Sequence, residues 1–123
     1  LHFQSKFPQA KLITVTHGKV LDVAVDLRKN SKTFGKIFKT VLSEKNRKSI
    51  FIPKGFAHGY FTLNKFNLVY FQNSTYRAKN HEKGIIWNDK DLNFKLPIKK
   101  PLISKKDKLN ITFKDFLKKY KHI

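Results

Sequence analysis

The 123-residue chain has no cysteine, so disulfides and thiolate metal sites are excluded, and the redox compartment is left open. It has no uninterrupted apolar run near the roughly 18–20 residues of a membrane-spanning helix. No stretch has the pattern of a secretory signal. Phosphate loops, nucleophile elbows and dinucleotide fingerprints are missing as well. No His-x-His pair occurs, which removes the usual sign of a metal-binding barrel. His81 and Glu82 are adjacent and would face opposite ways on a strand, so no metal is expected. Acidic residues number only eight against 27 lysines and arginines, and just three of the basic residues are arginine: Arg28, Arg47 and Arg77.

What is present points to a folded domain. The hydrophobic fraction is 40%, with twelve Phe, four Tyr and one Trp, which argues against disorder. The length allows one domain with a sizeable core. The formal charge of +19 would suit a polyanion. Its carriers are scattered lysines rather than arginine forks, so a solvated lysine face is expected and nucleic acid is not the expected partner.

Short strands dominate the pattern. Leu12–Thr16, Val20–Leu27, Ile37–Leu42, Ser49–Ile52, Phe56–Leu63, Phe66–Phe71 and Ile85–Trp87 have strand-forming composition, punctuated by turns at His17-Gly18-Lys19, Ser43–Asn46 and Pro53-Lys54-Gly55. Residues 56–63 and 66–71 read as a hairpin around Asn64-Lys65. Only Ile111–Tyr120 has helical spacing, with Phe113, Phe116, Leu117 and Tyr120 on one face. The sum is an all-β sandwich or small barrel with a short C-terminal helix, and residues 1–123 form a single domain.

Five histidines are the near-neutral bases. His17 precedes a turn glycine, and His122 lies in a lysine-rich tail. His58 sits among small residues in "PKGFAHGY", as if its ring faces a cavity. Asp22 and Asp26 interrupt an apolar strand and share its parity; Asp22, inside "VLDVAV", is either a polar core residue or a site residue, since a buried carboxylate needs partners. Asp107, in "SKKD", has the local sequence of an ordinary surface turn.

Taken in order, "LHFQ…PQAKLITVTHGKVLDVAVDLRKNSKTFGK", "IPKGFAHGY", "HEKGIIWNDKDL" and "PLISKKD" resemble the dTDP-4-dehydrorhamnose 3,5-epimerase family of nucleotide-sugar enzymes over residues 1–107. The resemblance implies a cupin-type jelly roll, a cytoplasmic homodimer and no cofactor. It also implies a segment ahead of "LHFQ" that supplies strands and sugar-nucleotide contacts, so the chain is expected to be an N-terminally incomplete member. The implied reaction is epimerisation of dTDP-4-dehydro-6-deoxy-D-glucose at C3 and C5. His2 matches the family's base, Asp107 its orienting carboxylate and Lys11 the cation near the ketone oxygen. His58 matches a substrate-contacting histidine, and Glu82 and Arg28 match pocket or diphosphate contacts. The family's tyrosine acid falls in "VYFQNSTYR". A straight count from His58 puts Phe71 at that position; a one-residue shift puts Tyr70 there and aligns Tyr76 with the family's last Tyr of the stretch. Tyr70 is the expectation, with Phe71 implying that inversion at C5 fails while exchange at C3 survives. A one-centre epimerase and an inactive sugar-nucleotide or polyanion-binding remnant are the alternatives.

Overall fold

The computed structural model describes residues 1–120; His122 lies outside the described residues. Among the described residues eight strands form in chain order: β1 (His2–Gln4), β2 (Lys11–His17), β3 (Lys19–Asp26), β4 (Ile37–Ser43), β5 (Ser49–Ile52), β6 (Phe56–Thr62), β7 (Leu68–Asn73) and β8 (Glu82–Gly84). Two short helices follow, α1 (Lys105–Lys108) and α2 (Phe113–Lys119). The strands make two antiparallel sheets, one ordered β4-β3-β6-β1-β8 and the other β5-β2-β7.

The expected hairpin between residues 56–63 and 66–71 does not form. β6 joins the five-stranded sheet and β7 the three-stranded one, so the Asn64-Lys65 turn crosses between layers. The same holds for β2 and β3 around Gly18, whose φ of 83° is left-handed and favours glycine. Residues 85–87 contribute an isolated bridge from Ile85 to Ile111, and the strand lies just ahead, at Glu82–Gly84.

β3 explains the layering. Every residue from Val20 to Asp26 is buried, because the sheet it belongs to is covered on both faces. Val20 and Ala24 pack with Ile13, Val15, Leu42 and Ile52 in the space between the sheets. Leu21, Val23 and Val25, of opposite parity, pack with Leu1, Phe3, Ala57, Ile85, Phe113 and Phe116 on the outer face. Helix α2 is held there by its aromatic residues: Phe116 is fully buried, stacks on Phe113 and meets the Phe3 ring edge-on at 5.4 Å. Thr112 caps the helix by accepting from Asp115 N–H at 3.1 Å, which sets its start two residues inside the predicted range.

The parity that places Leu1 and Phe3 in the outer core turns the side chains of His2 and Gln4 the other way. The first strand therefore delivers His2 to the inter-sheet side, directly opposite His58 of β6.

Candidate active site

His2 stands at the junction of two clefts. The smaller, of about 230 Å³, is lined by His2, Gln4, Lys11, Phe71, Arg77 and Glu82 among others. The larger, of about 600 Å³, has His2, His58, Tyr60, Trp87 and Asp107 in its wall.

A carboxylate approaches each ring nitrogen of His2. Nε2 lies 2.5 Å from Asp107 Oδ1, and Nδ1 lies 3.3 Å from Glu82 Oε1. Asp107 is held in place by Ser104, which caps the turn: Asp107 N–H donates to Ser104 Oγ at 3.1 Å, and Ser104 Oγ–H donates to Asp107 Oδ2 at 2.8 Å. Burial pushes the Asp107 pKa up, but the bonds from His2 and Ser104 outweigh it and hold the carboxyl below its ordinary range. An ionised carboxylate can only accept, so the hydrogen of the 2.5 Å contact belongs to His2 Nε2. Nδ1 faces the smaller cleft with the Glu82 carboxylate beside it, so both edges of the ring have a carboxylate neighbour.

Glu82 is the hub of an ion network. Arg77 Nε donates to Oε2 and Lys106 Nζ to Oε1, each at 2.5 Å. The Arg77 bond is the main cause that brings the Glu82 pKa down to about 2, with Lys106 adding to it against partial burial. The carboxylates of Glu82 and Asp107 approach opposite nitrogens of one ring and do not converge. Among the described residues no group of three or more His, Asp or Glu side chains is placed to hold a metal ion.

Lys11, at the start of β2, is half-buried in the smaller cleft. Burial lowers its pKa, and the Glu82 and Asp22 carboxylates pull the other way. A cation so placed can stabilise negative charge that develops on a bound oxygen. His58 is almost wholly enclosed, with Nε2 2.8 Å from Asp22 Oδ2. Asp22 is fully buried, and its other oxygen, Oδ1, has no hydrogen-bond partner among the described residues.

Two expected site residues lie elsewhere. Arg28 spends its guanidinium on Asp26, with Nε and Nη2 donating to the two carboxylate oxygens at 2.9 and 2.8 Å. Asp26 also accepts from Ser31 and Thr33, so burial raises its pKa less than these partners lower it. Arg28 covers the Phe56 ring at 4.8 Å and is absent from the lining of the smaller cleft, so the expected diphosphate contact gives way to a loop-fastening ion pair. Tyr70 is the second correction. It pairs with Thr14 on the outer side of β7 and is 59% exposed, whereas Phe71 pairs with the buried Ile13 and lines the smaller cleft. Adjacent strand residues point to opposite faces, and the unshifted register puts the phenyl ring inward.

Sequence reasoning missed Gln4 and Arg77. Gln4 is buried, donates to Phe7 O and accepts from Ala78 N–H, both at 2.7 Å, tying the cleft rim to the loop that carries Arg77. The scarcity of arginine was the available signal for Arg77. Nothing local distinguished Gln4.

Two antiparallel sheets, with a histidine–aspartate pair at the mouth of the space between them and a half-buried lysine lining the same cleft as the histidine, define a cupin-type β-sandwich. The sequence profile of dTDP-4-dehydrorhamnose 3,5-epimerase matches residues 1–115, and the chain belongs to that family. It is 42% identical over 108 residues to dTDP-4-dehydrorhamnose 3,5-epimerase of Shigella flexneri, covering 87% of this chain and 60% of that protein. The crystal structure of the Elizabethkingia anophelis NUHP1 enzyme superposes with a TM-score of 0.90 at 39% identity, covering 94% of this chain and 64% of the other. That of the Legionella pneumophila Philadelphia 1 dTDP-6-deoxy-D-glucose-3,5-epimerase, in complex with dTDP-4-keto-L-rhamnose, superposes at 0.88 with 36% identity, over 91% and 60%. The chain thus spans about three-fifths of the length of these relatives.

Proposed function

We propose that the protein epimerises dTDP-4-dehydro-6-deoxy-D-glucose by removing protons alpha to its C4 ketone. The observation that carries this is the His2 ring held between Asp107 and Glu82 at the cleft mouth. In this mechanism the His2 imidazole takes the proton, and Asp107 orients the ring and steadies the imidazolium. Lys11 offsets the charge on the enolate oxygen, and that help is greatest in the transition state. His58, backed by Asp22, shapes the inner wall. Arg77 and Glu82 meet the polar part of the substrate at the rim. The ketone itself acidifies both neighbouring carbons, so the proposed chemistry calls on no cofactor. We further propose a homodimer working in the cytoplasm, with a dTDP-sugar rather than nucleic acid as its partner. Among the described residues no helix is long and apolar enough to cross a membrane.

The test is deuterium entry from heavy water into the substrate, followed by NMR at C3 and C5 separately. His2→Asn should slow exchange at both carbons by about a hundredfold or more; undiminished exchange would refute the base. The inward ring of Phe71 favours one second reading, a one-centre enzyme that inverts C3 alone, because a phenyl group donates no proton.

A further inference from the structure

Inversion needs an acid on the face away from the base, and Phe71 brings none. The chain has four tyrosines. Tyr70 is on the outside of β7, and Tyr76 is 95% exposed. Tyr120 belongs to the opposite core, where it meets Phe3 edge-on at 5.5 Å and stacks on Phe116 at 5.7 Å. Tyr60 alone remains. It is on β6 two residues beyond His58, so the two side chains share the inter-sheet face, about 7 Å apart along the strand. His2 pairs with His58 across β1 and β6, which makes Tyr60 a diagonal neighbour of the base, at the about 7–8 Å that long side chains span. The Tyr60 ring packs on Phe71 with centroids 5.9 Å apart, and it lines the larger cleft together with His2, His58 and Asp107. It is 40% exposed, so water reaches it.

We infer that Tyr60 is the general acid of this site, the phenol standing beside Phe71 and returning a proton to the sugar face that His2 does not reach. The inference rests on the epimerase reading above. His2 removes the C5 proton and an enolate forms; the Tyr60 O–H bond breaks as the new C5–H bond forms on the opposite face. The phenolate regains a proton from water and His2 releases its own, so the reaction is balanced and redox-neutral. Phe71 then serves as the apolar backing that orients the Tyr60 ring.

The experiment compares the wild-type full chain with Tyr60→Phe and Tyr60→Phe/Phe71→Tyr in heavy water, reading exchange and configuration at C5 and at C3. Wild type should invert C5. Tyr60→Phe should lose that inversion by about a hundredfold or more, while deuterium still enters C5 with retention, because only His2 is left to reprotonate the enolate. A merely structural defect would slow exchange and inversion together. The double variant should regain inversion. Inversion at C5 undiminished in Tyr60→Phe overturns the inference, as does a wild type that inverts only C3, and both leave the epimerase reading standing. A wild type that binds dTDP yet exchanges neither carbon overturns that reading, and the Tyr60 assignment with it.

Discussion

Replacing Asp107 by Asn tests the dyad without emptying its place. The side chain keeps its shape, and Ser104 can still cap the turn, but the charge 2.5 Å from His2 Nε2 disappears. At that distance, the attraction between an imidazolium and a carboxylate is about 1.7 kcal/mol in water and about 7 kcal/mol at the effective dielectric of a protein surface. The two side chains are 28% and 36% exposed, which puts the pair between those limits, at about 3–4 kcal/mol. Glu82, 3.3 Å from the other nitrogen, retains its charge and keeps the loss toward the lower figure. At about 1.4 kcal/mol per decade, the exchange rate should fall about 100- to 1000-fold. The assay is single-turnover deuterium exchange at C3 across pH 5 to 9. The loss should appear in the chemical step with dTDP affinity unchanged. A loss under about threefold, or one confined to affinity, would refute the orienting role.

Tyr70→Phe should change turnover by less than about twofold, since its ring faces away from both clefts; a hundredfold loss would restore it to the site. Phe116→Ala empties the centre of the aromatic cluster beneath β1 and should cost about 3–5 kcal/mol in urea unfolding; a cost under 1 kcal/mol would mean that α2 is not part of the cooperative fold. Asp26→Ala strips five donors of one buried acceptor and should cost about 3–5 kcal/mol by the same measurement. Acid titration followed by circular dichroism should reveal the Glu82 network. Its folded pKa is depressed to about 2 from 4.5, so its stabilisation is present above pH 4.5 and is lost as pH falls toward 2. Because Arg77 and Lys106 are exposed, the loss should be about 1–2 kcal/mol, and Glu82→Gln should flatten it.

The sequence by itself determined the strand-rich architecture, because alternation and turn chemistry act between near neighbours. It marked Asp22 as a polar core residue or a site residue, since a carboxylate inside "VLDVAV" needs partners. The ordered motifs singled out His2, Lys11, His58 and Glu82 before any geometry was known. Which strands pair was not legible: the hairpin read at residues 56–71 is split between two sheets because burying both faces of β3 requires the chain to cross layers. The dyad joins residues 105 apart, and Asp107 looks like a surface turn until Ser104 caps it beneath the first strand. The choice between Tyr70 and Phe71 likewise belonged to the tertiary structure. A single step of register separates the inner from the outer face, and it was decided by pairing with Ile13, which is buried between sheets built from distant parts of the chain.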